Sequence, residues 1–262
     1  MVEIKTGGRI VKVPTMLEEL TPHQYRYYCM LAGALTGGVM DVEHYRKSWF
    51  SFLLGLERMV YTMLVPERIK EIEEQLPLMN DFLIPERTEN GTVLRPDFDT
   101  CVNLLPAYHG HEGPGDWMHG VKFGEFVECI TELETAVATQ ATGDDLRECC
   151  RHIARVLYHI PERENVSTLL ENHAVRLLAS VWKAIQAGPI EINGKKIDFT
   201  IIFKGGDNSR PDDKTGWAGI TFEVASAGVF GTVKEVEATE FWDVLLYLYK
   251  CKFEYNHDKS RK

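Results

Sequence analysis

The 262-residue sequence contains no CxxC pair, no HExxH helix motif, no G-x-S-x-G elbow, no Walker phosphate loop, no zinc finger and no protein-kinase signature. It has no internal repeat, no low-complexity tract and no apolar run approaching the length of a membrane span. Its opening residues, MVEIKTGGRI, lack the charged-then-apolar order of a secretory signal. Positive charge is short as well: Lys and Arg number 29 against 39 Asp and Glu, a formal net charge of -10 that repels nucleic-acid phosphates and anionic lipid. These absences argue against a motif-defined enzyme, a membrane protein and a general nucleic-acid binder. The expectation is a cytoplasmic protein that needs no cofactor and acts on other proteins.

What is present suits an ordered, mainly α fold. The apolar share is 44% and the charged share 26%, ordinary for a globular chain with a sizeable core. The six cysteines, Cys29, Cys101, Cys129, Cys149, Cys150 and Cys251, mostly fall in apolar helical contexts, where a reduced thiol acts as a small hydrophobe. Residues 9–13 read as a short strand. Thr21-Pro22-His23-Gln24 offers a capping box with proline at the first helical position, and Gly37-Gly38 a stop. A second helix is predicted from Asp41 to Gly55, packed on the first as a hairpin, and a charged helical stretch, ERIKEIEEQL, follows Pro66.

The periodicity breaks over 80–106, where Pro85, Pro96, Pro106 and the Asn90-Gly91 turn fall. This divides the chain into an N-terminal helical region, 1–79, a linker or excursion, 80–106, and a C-terminal helical domain, 107–262; a one-domain arrangement fits the pattern too. In the C-terminal part three helices follow in succession. Phe123, Phe126, Val127, Ile130, Leu133 and Val137 mark the first; Leu146, Cys149, Cys150, Ile153, Leu157 and Ile160 the second. Leu169, Leu170, Leu177, Val181 and Ile185 mark the third, which Gly188 ends. Short joints between them argue for a bundle. The segment 189–203, PIEINGKKIDFTIIF, reads as a β-hairpin around Asn193-Gly194, expected to pair with the strand near 9–13 because a lone hairpin is marginal in water. Then come the polar loop 204–216, a helix ended at Gly228, and a last helix capped by Thr239 with Phe241, Val244, Leu245, Leu248 and Cys251 inward, fraying over its final residues.

Three clusters could carry chemistry. His109, His111, Asp116 and His119 share one glycine-rich loop, and imidazoles with a carboxylate are zinc ligands, so a metal-dependent hydrolase is one alternative; the glycines at 110, 113, 115 and 120 also suit a plain connecting loop. Arg147, Arg151 and Arg155 lie at i, i+4, i+8 on one helix, a ridge for RNA or an acidic partner, or a solvated face balanced by Glu148. The Arg210-Pro-Asp-Asp-Lys214 loop superficially matches nuclease chemistry, but its charges share one loop where that site needs neighbouring strands. His173, between Leu170 and Leu177, reads as a hydrogen-bonded core histidine.

Three segments carry a resemblance: ELTPHQYRYYCML, YHGHEGPGDWMHGVKFGEF and AGVFGTVKEVEATEFWDVLLYLYKCK. His109-Gly110 leads into Lys122-Phe123-Gly124-Glu125-Phe126, and Gly228-Val229-Phe230-Gly231 precedes Phe241-Trp242. In these the chain resembles helical proteins encoded beside tail genes in phages and prophages of gut bacteria. The resemblance implies a non-enzymatic role in tail assembly, as a chaperone or adaptor in the bacterial host cell or a component of the virion. Partner-binding residues would then be Phe230 in the turn and Phe241, Trp242 and Tyr247 on the closing helix, with Arg147, Arg151 and Arg155 on the ridge.

Overall fold

Short polar side chains set the helix starts of this protein. In the computed structural model, which describes residues 1–6, 9–56, 70, 74, 76–89, 91–192, 194–203 and 215–259, the Thr21 hydroxyl accepts from the Gln24 amide while the Gln24 side chain accepts from the Thr21 amide, the reciprocal box predicted at this position. The fold is mainly α with small antiparallel hairpins. Contacts divide it into two compact units, Met1–Thr100 and Cys101–Lys262. The division falls inside the 80–106 stretch.

In the first unit, β1 (Val2–Thr6) pairs antiparallel with β2 (Arg9–Val13), and α1 (Pro22–Thr36) packs on α2 (Val42–Leu53), whose start Asp41 caps. The contact is aromatic: Tyr27 stacks on Phe52 at 4.0 Å, and Tyr28 meets Trp49 at 5.7 Å. A second β-hairpin, β3 (Leu83–Thr88) with β4 (Gly91–Pro96), lies within the proline-broken stretch. Both prolines are tolerated because every strand of a two-stranded sheet is an edge strand. Three buried rings fix the backbone just before it. Trp49 Nε1 donates to Asn80 O at 3.1 Å, Tyr45 to Asp81 O at 2.8 Å and Tyr28 to Phe82 O at 3.2 Å. Burial holds the Tyr28 and Tyr45 hydroxyls far above their ordinary pKa, so they remain donors.

The second unit begins with a loop carrying the two-residue strands β5 (Ala107–Tyr108) and β6 (His111–Glu112), then α3 (Phe123–Ala138), α4 (Gly143–Tyr158) and α5 (Thr168–Ala187). The hairpin β7 (Pro189–Ile192) with β8 (Lys195–Asp198) follows, then α6 (Thr200–Phe203), α7 (Gly216–Ser226), α8 (Val233–Glu237) and α9 (Phe241–Lys259). The core is the interior of α3, α4 and α5, with Phe123, Phe126, Ile153, Leu170, Val181 and the start of α9 fully buried. Phe126 stacks on Phe241 at 4.0 Å, and a backbone bridge between Lys122 and Glu240 ties the start of α3 to the start of α9.

Several expectations need correcting. Residues 9–13 pair with Val2–Thr6, and among the described residues β7 and β8 pair only with each other, so the two hairpins are separate sheets. The hairpin ends at Asp198, whose carboxylate accepts from the Thr200 amide at 3.0 Å and starts α6 where a strand was expected. Thr239 does not cap α9; its hydroxyl turns back to Glu235 O at 2.7 Å, closing α8 instead. Val137 and Leu146 are exposed, because Ala136 and Cys149 take the inward positions near the α3–α4 joint. Cys251 lies in the exposed half of α9. The ERIKEIEEQL stretch, for the most part, and the whole Arg210–Lys214 loop lie outside the described residues.

Candidate functional site

The glycine-rich loop is held from beneath by a buried polar knot. Asn103 is the hub: its Nδ2 donates to Pro114 O at 2.6 Å, which leaves Oδ1 as the acceptor for the Leu105 amide at 2.9 Å and for His173 Nε2 at 2.8 Å. The His173 proton therefore sits on Nε2. Tyr158 donates to Leu105 O at 2.8 Å, and Asp116 Oδ1 accepts from the Asn103 amide at 2.9 Å. Desolvation, helped by the nearby Arg176 charge, drives the His173 pKa down to about 4. The ring is neutral and serves as a structural donor, the reading its apolar neighbours suggested.

This knot dictates the glycines. A Cβ at Gly113 would stand 2.3 Å from the Tyr158 ring, which is wholly buried and cannot retreat without losing its bond to Leu105 O. Gly113→Ala is expected to cost about 2 kcal/mol by overpacking, measured by urea unfolding. Adding Tyr158→Leu, which vacates the ring's space, should return part of that loss; a Gly113→Ala protein as stable as the parent would show that the loop is loosely held.

The four metal candidates diverge. His109 is exposed, its ring edge-on to Tyr108 at 4.3 Å. His111 Nε2 lies 2.9 Å from Glu164, Asp116 bonds the Asn103 backbone, and His119 Nδ1 lies 3.5 Å from Glu240. Each side chain holds a different part of the unit. Among the described residues no group of three or more His, Cys, Asp and Glu is placed to bind a metal ion.

The arginine ridge is also turned to internal use. Glu171 on α5 is only 1% exposed, and two of the three arginines converge on it: Arg151 Nε lies 3.2 Å from one carboxylate oxygen and Arg147 Nε 3.6 Å from the other. Arg151 also pairs with Glu148. Arg155 donates to the carbonyls of Glu162 and Glu164 at 2.7 and 3.1 Å, holding the turn that leads to α5. The ridge is thus a clamp between α4 and α5, built on a buried acid that sequence reading did not single out.

The closing aromatics split in two. Phe241 and Trp242, expected to contact a partner, are core residues: Phe241 lies on Phe126, and Trp242 Nε1 donates to Trp117 O at 2.7 Å. Phe230 and Tyr247 remain half-buried, ring edge to face at 5.5 Å. Beyond Tyr249 the helix leaves the core, and Lys250 to Asp258 are exposed save Lys252. Phe253 and Tyr255 there keep more than half of their surface open, with Tyr249 stacked on Phe253 at 6.0 Å.

The motifs of the resemblance have structural explanations here. Phe123 and Phe126 are buried, Glu125 accepts from the Lys122 amide at 2.9 Å, and Gly124 lets α8 approach, since a Cβ there would meet Glu237 Cβ at 3.0 Å. Gly228 and Gly231 take the positive φ that the turn before α8 requires. No helix among the described residues is long and apolar enough to cross a membrane. Comparison with known proteins finds no matching family model, no matching curated protein and no matching solved structure.

Proposed function

We propose that this protein is a non-enzymatic binding protein that acts in assembly, in the setting its sequence resemblance implies: tail assembly by a phage or prophage in the cytoplasm of a bacterial host. The observation that carries the reading is the outer half of α9, an ordered helix that presents Phe253 and Tyr255 to solvent beyond the last core contact. A large ring left open on a helix with charged neighbours is a common form of anchor for a protein partner. The divergence of the histidine loop and the internal use of the arginines leave both the hydrolase and the RNA-binding alternatives without a specific observation in their favour.

The test is retention of a tail component by the tagged protein in its native host. The Phe253→Asp/Tyr255→Asp protein should retain at least about ten-fold less of it, since an anchor ring contributes about 2 kcal/mol or more to binding. Its unfolding midpoint should stay unchanged, because neither ring is buried. Retention that survives the double substitution, or no tail component retained by the parent, defeats the proposal.

A further inference from the structure

A second surface of the Cys101–Lys262 unit has the form of a receptor, independent of α9. Three helices each give one stripe to an open groove of about 610 Å³. Val127, Thr131 and Glu134 come from α3 at i, i+4, i+7; Trp217, Ala218, Thr221 and Phe222 from α7; Val233 and Glu237 from α8 at i, i+4. The walls are fixed from behind. Trp217 stands edge-on to Phe123 and Phe126, at 6.3 and 5.7 Å, and α8 is seated against Gly124. The groove is therefore preformed and needs no rearrangement to open.

Its chemistry is one-sided. The walls are mostly apolar and Phe222 is 60% exposed, a large ring left in water. Among the described residues, Glu134 and Glu237 are the only charged residues of the lining, both are exposed, and neither has a cationic or hydrogen-bonding partner. Glu125 and Glu128, also on α3, instead face His159 at the end of α4 and His152 within it. An apolar trough bordered by two exposed carboxylates matches an amphipathic segment that brings both apolar anchors and cations. The trough's size suits a few side chains from one helix face, as at i, i+3, i+4 and i+7.

We infer that the α3–α7–α8 groove is a docking site for an amphipathic helix of a partner protein, one whose apolar face is bordered by lysine or arginine that pair with Glu134 and Glu237. The partner's apolar side chains lie against Trp217 and Phe222, and the two carboxylates set its orientation. Because α9 is not involved, this site stands or falls separately from the assembly role proposed above.

The test uses the full chain and synthetic peptides. One is a helix-forming peptide with leucines at i, i+3, i+4 and i+7 and flanking lysines; the second replaces the lysines by glutamate; the third scrambles the order of the first. Fluorescence anisotropy should show the lysine peptide binding at least about ten-fold tighter than the glutamate one, weakening with added salt, and the scrambled peptide not binding. The Glu134→Lys/Glu237→Lys protein should reverse the preference, with circular dichroism unchanged because both positions are exposed. Phe222→Ser should weaken both peptides, whereas Phe253→Asp/Tyr255→Asp should leave binding as it was. If no peptide binds, if both charges bind equally, or if the charge-reversed protein keeps the original preference, the inference is overturned. It is equally overturned if binding disappears with the α9 substitutions.

Discussion

Replacing Arg147 and Arg151 together by alanine is expected to lower the stability of the second unit by about 3 kcal/mol, the low end of the cost of stranding a buried charge. Glu171, 1% exposed in the folded protein, would lose both guanidinium partners. A carboxylate stripped of both partners in that position bears its desolvation without compensation. The low end applies because Arg147 is more than half exposed and Arg151 about one quarter, so solvent already screens part of the attraction. Arg147→Ala alone should cost under about 1 kcal/mol for the same reason. Adding Glu171→Leu to the double substitution should restore most of the loss, since replacing a whole buried ion group by an apolar residue is often neutral. Trp117, Trp182, Trp217 and Trp242 belong to the second unit, so tryptophan emission during urea unfolding reports chiefly on it. A double variant as stable as its parent would show that the ridge is a solvated face after all, and would reopen its use by a partner.

The second large effect is a response to acid. His173 has a pKa of about 4 in the folded protein against an ordinary 6.5, and it must be neutral to sit 2.8 Å from Asn103 in the buried knot. The unfolded chain binds the proton first as pH falls. The contribution of the neutral ring is therefore complete above pH 6.5, declines at about 1.4 kcal/mol per pH unit as pH falls toward 4, and has gone below that, a total of about 3 kcal/mol. Unfolding free energies between pH 7 and 4 should show this fall over and above the background from carboxylates. His173→Gln, which still offers an N–H to Asn103, should be less stable at pH 7 and flatter across the same window. An identical slope in the variant would remove His173 as its source.

Much of the fold is legible in the residues because local rules decide it. Thr21 and Gln24 cap α1, Gly194 takes a positive φ between β7 and β8, and the 3.6-residue stripes of α3 and α5 point into the core. Errors arise where a distant residue decides. Nothing near Asp198 in the sequence shows whether its carboxylate will start a helix or its backbone continue a strand. Phe241 and Trp242 look like an exposed aromatic pair until Phe126 and Trp117, more than a hundred residues earlier, cover them. The arginine ridge was visible as a ridge, but its direction depends on Glu171, whose place among Leu170, Ala174 and Leu178 on an inward face was the available signal. A buried acid on an apolar face calls for a basic partner, and the neighbouring helix offers three. Asn103 gave no such sign; a lone asparagine in a loop is ordinary until two helices close over it.

The bridge between Lys122 and Glu240 also has a consequence in time. The first unit makes its compact set of contacts within its own hundred residues, so a growing chain can complete it early. The second cannot close that way. Phe126 waits for Phe241, Gly120 for the Glu240 carboxylate and the Trp117 carbonyl for Trp242, each separated by more than a hundred positions. At ribosomal rates of roughly 5–20 residues per second, the rings of α3 stay uncovered for about ten seconds after they emerge. A chain stopped short of residue 241 therefore ends as a finished first unit joined to a second unit that lacks α9 and has its aromatic seam open, a species prone to aggregate and one a chaperone would have to hold.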